Sequence, residues 1–311
     1  MRVLKMVIWI GAMSFMAFSR AEAREWISTD GKKLEAEFIS SESGQVKVKR
    51  AADGQVLNLP LARLSASDQA WLKEQPVKPA EPAKAMEGPF AKLVTGDWAL
   101  SDHEGLPFAF YGSKDLSADK TYPLILALHG KSTNNDNGKQ IAGWMKSFTK
   151  PTRYAKNPCF IVAPLAYQPF GATGSAWSDK PGTQSVELVK ALIKSLPIDK
   201  NRVYIVGHSM GGFGTCHLIN TEPRLFAAGV AVAGCTGVDT ASSFKRVPLW
   251  LFHAADDDLV PVKSSRDLAK ALEHSKECKY TEYPTGGHGV VGKVFEDETM
   301  HEWLFAHGVK K

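Results

Sequence analysis

Apolar positions change rhythm along this chain. From Arg24 to about Glu74 they alternate with polar ones over short distances, as in Val46-Lys47-Val48-Lys49. Asp30-Gly31, Ser43-Gly44 and Asp53-Gly54 separate the alternating segments. A period of two gives each segment one core-facing side, and the dipeptides are hairpin signals, so the pattern predicts a small meander or barrel. "SASDQAWLKE" (65–74) then predicts a short helix opened by serine and aspartate.

Residues 75–89, "QPVKPAEPAKAMEGP", carry four prolines among Ala, Lys and Glu. With so little apolar surface to bury, they predict a semi-rigid linker. From about residue 90 the alternation gives way to continuous apolar runs: "YPLILALHG" (122–130), "CFIVAP" (159–164), "RVYIVG" (202–207), "AAGVAVAG" (227–234) and "PLWLFHA" (248–254). Amphipathic stretches such as "SVELVKALIKSL" (185–196) and "SSRDLAKALEHS" (264–275) lie between them. Buried strands alternating with amphipathic helices predict an α/β fold, a mostly parallel sheet covered on both faces over residues 90–311. Ligands of such sheets sit at the carboxyl ends of the strands.

Composition changes this picture only at its margins. The 311 residues are 44% hydrophobic with a formal charge of +5, and no Lys/Arg block forms a basic arm, so nucleic acid is not an expected partner. At the N-terminus Arg2 and Lys5 precede the apolar run Met6–Phe18, followed by Ala21-Glu22-Ala23. That layout predicts a Sec-type signal peptide over 1–23, hence a secreted or periplasmic protein with no stable membrane insertion after cleavage. The region holds no cysteine for a lipid anchor. Cys159, Cys216, Cys235 and Cys278 allow three pairings, and spacing does not choose among these or free thiols.

The chemistry gathers where runs end. "RVYIVGHSMGGFGTCH" sets Ser209 between Gly207 and Gly211 at a strand-to-helix junction, the G-x-S-x-G arrangement that lifts a serine oxygen out of a sharp turn. A serine hydroxyl needs a base, and in this chain order an acid and then a histidine follow the serine. "HAADDDLVP" (253–261) supplies Asp256, Asp257 and Asp258, and "TGGHG" (285–289) supplies His288. His301 is a rival base, disfavoured by its helical setting. The backbone N–H groups of Met210 and Lys131 are the expected oxyanion donors, one following the nucleophile and the other following His129-Gly130. Trp177, His208 and Trp144, with Phe170, are candidate pocket residues. H-E-x-x-H, C-x-x-C and calcium-loop spacings are absent from the sequence, so neither metal nor cofactor is expected.

Residues 90–311 resemble α/β-hydrolase-fold serine esterases, in particular the group of predicted peptidases and polyhydroxybutyrate-depolymerase-like esterases. The likeness rests on "LPFAFYGSKDLSADKTYPLILALHG", "VYIVGHSMGGFGTCHLINTEPRLFAAGVAVAG" and "KYTEYPTGGHG". "HAADDDLVP" resembles the pattern H-G-x-x-D-x-x-V-P, whose acid falls on Asp257, although Ala254 stands where that pattern has glycine. Residues 24–74 resemble the Sla-type homology domain 1, an SH3-like β-barrel, which implies an accessory or packing module, with surface or peptide docking as one role open to it. The resemblance implies a serine hydrolase cleaving small-molecule or polymer-linked esters through an acyl-enzyme. A peptidase of the same fold and a non-catalytic binding protein are the alternatives.

Overall fold

The computed structural model describes residues 23–42, 44–74, 84–131, 136–167, 176–242, 244 and 246–309. The expected signal peptide (up to residue 22), Phe170 and most of the 75–89 segment therefore lie outside the described residues.

The chain divides into two compact units, Met1–Glu81 and Pro82–Lys311. In the first, β1 (Arg24–Ile27), β2 (Lys33–Glu42), β3 (Gln45–Arg50) and β4 (Val56–Pro60) form an antiparallel sheet in sequence order. Val46 and Val48 of β3 are buried, while Lys47 and Lys49 are exposed, as the alternation requires. After β4 the chain returns beside β1: Thr29 N–H donates to the Arg63 carbonyl and Ser65 N–H to that of Ile27. Helix α1 (Ala66–Glu74) follows, with the Ser65 hydroxyl accepting the Asp68 N–H. Buried Asp68 takes hydrogen bonds from Arg24 and the Ile27 amide, tying the helix to β1.

The second unit is built on eight strands. β5 (Ala99–His103) and β6 (Leu106–Tyr111) form a hairpin. β7 (Tyr122–Leu128), β8 (Phe160–Pro164), β9 (Ile198–His208), β10 (Ala228–Val232), β11 (Leu249–Ala254) and β12 (Cys278–Tyr283) supply the rest. The order is β12-β11-β10-β9-β7-β8-β6-β5, parallel from β12 through β8 and antiparallel at the hairpin.

Strand β7 is buried along its whole length, and its side chains divide between two cores. Leu124, Leu126 and Leu128 pack with Val186, Val189 and Leu192 of α3 (Lys180–Ser195) and Leu268 of α5 (Lys263–Ala271). Ile125 and Ala127 pack on the opposite face with Met145, Phe148 and the helices α6 (Val291–Glu296) and α7 (Glu298–Phe305). Helix α4 (Met210–Thr221) leaves β9 on the first face, and α2 (Pro151–Lys156) precedes β8. The result is a three-layer α/β fold with a mostly parallel sheet, as the apolar runs predict.

The predicted linker is shorter at its C-terminal end than the proline spacing suggests. Lys84 exchanges hydrogen bonds with Ser117 and Ala118, and Met86 packs against the first core, so residues 84–89 belong to the second unit. Among the described residues no helix is long and apolar enough to cross a membrane.

Candidate active site

Strand β9 ends at His208, and the chain turns into α4 within one residue. That residue, Ser209, has φ +57° and ψ −121°, outside the conformations a side-chain-bearing residue prefers. The turn is this tight because its flanks are glycine. A Cβ on Gly207 would lie 2.1 Å from the Gly211 carbonyl oxygen, and one on Gly211 would lie 2.0 Å from that of Leu128. Strand, helix and neighbouring β7 thus meet closer than any other residue allows, and Ser209 stands half-buried at their junction.

The structure joins Ser209, His288 and Asp257 in one hydrogen-bonded series. Ser209 Oγ lies 2.8 Å from His288 Nε2, and His288 Nδ1 lies 2.9 Å from Asp257 Oδ2. The carboxylate side chain is fully buried, whereas the imidazole is 18% exposed. Burial raises the Asp257 carboxyl, but the Val260 amide, the His288 ring and the Leu259 amide outweigh it and hold the group below its ordinary range. Asp257 is therefore ionised and accepts the His288 Nδ1–H, leaving Nε2 to take the serine proton.

Of the three adjacent aspartates, only Asp257 reaches the ring. Asp256 points instead at the main chain of the histidine loop and accepts the amides of Gly287 (2.8 Å) and Gly286 (3.2 Å). These donors, the Gly287 amide foremost, lower its carboxyl as well. Gly286 and Gly287 have φ +145° and +54°, a shape glycine adopts without strain, and the Asp256 carboxylate clamps it.

Met210 opens α4, so its N–H belongs to the first helical turn beside Ser209. Lys131 follows β7 at the loop ending in His129-Gly130, where a Cβ on Gly130 would lie 3.4 Å from Ser209 Cβ. The orientation of this loop follows from His129. Its Nε2 accepts the Ala166 amide (3.0 Å), so Nδ1 carries the proton and donates to the Gly130 carbonyl (2.6 Å). Burial lowers His129 to about 4, which keeps the ring neutral in this role. With that carbonyl turned to His129, the trans peptide places the Lys131 N–H on its other side.

The pocket residues fare differently. Trp177 is fully buried, donates its indole N–H to the His129 carbonyl and packs where Gly214 leaves room. The expectation that it lines a pocket is therefore corrected: its buried bulk packs under the β7 loop, bonded to the His129 carbonyl. His208 is half-buried, its ring 4.9 Å from that of His288, and its Nε2–H donates to the His288 carbonyl (2.8 Å). Trp144 is half-buried and stacks on Phe295 of α6 at 4.5 Å. The rival His301 is buried on α7 and bonds the Phe295 carbonyl, in no part of the series. All four cysteines are free thiols. Sequence reasoning missed the bonds of Asp256 and His208 to the histidine loop; the only available signal was their adjacency to Asp257 and Ser209.

Among known proteins, the prolyl oligopeptidase family model matches residues 172–249, a stretch that takes in Ser209 and stops before Asp257 and His288. A solved structure of a thermostable esterase is similar at 32% identity and a TM-score of 0.61, covering 68% of this chain and 62% of its own. The feruloyl esterase module of Clostridium thermocellum shares the fold, with a TM-score of 0.55 at 12% identity over 74% of this chain and 97% of its own. A bifunctional acetylxylan esterase/xylanase of Neocallimastix patriciarum is 26% identical over 186 residues, which are 58% of this chain and 26% of that protein. The chain thus spans about a quarter of that curated relative's length.

Proposed function

We propose that this protein is a serine hydrolase that cleaves carboxylic esters through an acyl-enzyme, with Ser209 as nucleophile, His288 as general base and acid, and Asp257 as the orienting acid. One observation carries the reading: a serine held at φ +57° between β9 and α4 shares its hydroxyl with an imidazole whose other nitrogen rests on a buried carboxylate. The similarity to the thermostable esterase and to the acetylxylan esterase/xylanase supports esters over other acyl compounds.

In this reading His288 Nε2 takes the Ser209 proton as Oγ attacks the ester carbonyl. The N–H groups of Met210 and Lys131 receive the oxyanion. The imidazolium, stabilised by Asp257, then protonates the departing alcohol, and a water activated by the same ring releases the acid. The chain's own residues suffice for each step, and no cofactor enters. His208, whose ring lies 4.9 Å from that of His288, is the proposed pocket residue beside the pair.

Export through residues 1–23, cleavage there, and a small SH3-like barrel over 24–74 that docks the enzyme to a surface or peptide complete the proposal. The return of residues 63–65 beside β1 supports the barrel. The match to the prolyl oligopeptidase family favours peptide bonds as a second reading.

The test is hydrolysis of p-nitrophenyl acetate, butyrate and octanoate, beside peptide p-nitroanilides, by the wild type and Ser209→Ala. Ester turnover lost by several orders of magnitude in the variant supports the proposal. Turnover of anilides alone transfers it to the peptidase reading, and equal inertness of both proteins overturns it.

A further inference from the structure

The hydrogen-bonded series continues beyond Asp257. The same Oδ2 that receives His288 lies 3.1 Å from Nε2 of His253, and that Nε2 lies 3.0 Å from the Val260 carbonyl. Both of these oxygens only accept, so Nε2 must carry the proton. On the far side of the ring, Nδ1 lies 2.7 Å from Ser265 Oγ and accepts a hydrogen bond from its hydroxyl, and the Cys235 thiol, 3.6 Å from Oγ, is left to donate to it. Cys235, Ser265 and His253 are all buried, and they come from the loop after β10, from α5 and from β11. The opposite tautomer would set a nitrogen lone pair against a carboxylate and a carbonyl at once. In a buried site that arrangement is costly.

We propose that His253 is a positioning residue for the Asp257–His288 pair: its Nε2–H shares the charge on Asp257 Oδ2 with His288, and Ser265 fixes the tautomer that permits this. The proposal rests on the reading of Ser209, His288 and Asp257 as a triad. Asp257 is then held on both oxygens, Oδ1 by the Leu259 and Val260 amides and Oδ2 by two imidazoles. The other titratable groups around the pair are His208 from β9, Asp256 and Asp258 on the same turn, Glu282 of β12 with its partner Arg266, and Lys293 of α6. None of these donates to Oδ2.

Removing the His253 donor leaves the whole charge of Oδ2 facing His288 and binds its protonated form more tightly. The acid limb of the kcat/KM profile should then move to higher pH by about one unit, the worth of a hydrogen bond to a charged group. The experiment compares pH profiles for p-nitrophenyl butyrate in the full chain bearing His253→Phe, His253→Gln or Ser265→Ala. His253→Phe should move the limb, and Ser265→Ala should move it in the same direction by less. His253→Gln, whose amide nitrogen stands near the position of Nε2, should leave it in place. If His253→Phe fails to fold, Ser265→Ala carries the test.

The low-field proton resonance of His288 Nδ1–H gives a readout independent of turnover, and it should shift in Ser265→Ala. Folded variants that lose kcat with neither limb nor resonance moving would reduce His253 to packing and overturn the proposal. A resonance that shifts in a protein hydrolysing no ester would instead overturn the esterase reading and leave the network standing.

Discussion

His208 Nε2–H donates to the main-chain carbonyl of His288, 2.8 Å away, so the residue before Ser209 holds the backbone of His288. Burial lowers His208 and keeps its ring neutral, and the bond to the His288 carbonyl only partly offsets this. The adjacent Asp256 grips Gly286 and Gly287 on the same loop. The histidine loop is therefore fixed from two strand ends, β9 and β11, independently of the ring's own bond to Asp257.

Replacing His208 by Ala removes one of these restraints without touching the reacting atoms. A single hydrogen bond is worth about 1 kcal/mol, so kcat/KM for a p-nitrophenyl ester should fall roughly five- to tenfold with an unchanged fold. Asp256→Ala should act similarly. A double variant that loses more than the product of the two single losses would show that both restrain one loop. Steady-state kinetics on the four proteins decides this.

Asp257→Asn keeps the volume of the acid but removes its charge. Hydrolysis should fall by up to about 10⁴-fold, the scale of losing the base's correct tautomer and its counter-charge. The same group shapes acid stability. Its folded carboxyl lies below the ordinary value, so its contribution to stability is fully present above the usual carboxylate range and is lost as pH falls through the lowered value. Thermal melts should therefore show wild type losing stability below about pH 4 more steeply than Asp257→Asn. Parallel curves would contradict the cause assigned to the shift.

Much of this arrangement could be read from residue order. Ser209 and Asp257 each follow an apolar run and His288 follows the more polar β12, and the parallel sheet brings the ends of β9, β11 and β12 to one edge. Physical contact with elements distant in sequence could not be read. Trp177 has the composition of a pocket residue, yet it fills the space that Gly214 leaves behind the β7 loop. The choice among Asp256, Asp257 and Asp258 depends on the turn after β11, where the Asp257 N–H bonds the Ala254 carbonyl and aims that one side chain inward. Lys84–Pro89 read as linker because their few polar bonds to Ser117 and Ala118 leave no trace in composition.

A glycine of the elbow tolerates a side chain far less than a glycine in open space. Gly211→Ala would drive a Cβ to 2.0 Å from the Leu128 carbonyl, and rigid backbone on both sides leaves nothing to yield. A loss of about 3 kcal/mol or more is expected, seen as insoluble expression or a melting point lowered by several degrees. Gly292→Ala, in α6 with open space where the Cβ would stand, should be neutral or stabilising by up to about 1 kcal/mol. Equal effects at the two positions would refute the packing account of the motif.

Ser209 stores backbone strain at φ +57°. At φ +57° and ψ −121° a Cβ is disfavoured by about 1–3 kcal/mol, whereas glycine adopts the turn freely. Ser209→Gly should therefore abolish ester hydrolysis and at the same time stabilise the catalytic unit. A gain of about 1 kcal/mol corresponds to roughly 2–4 °C in Tm for a unit of this size. Ser209→Ala keeps the Cβ and should abolish activity without that gain. Differential scanning calorimetry of the three proteins separates the two contributions. If Ser209→Gly melts no higher than Ser209→Ala, the elbow is unstrained, and the exposure of Ser209 comes from the glycine contacts alone.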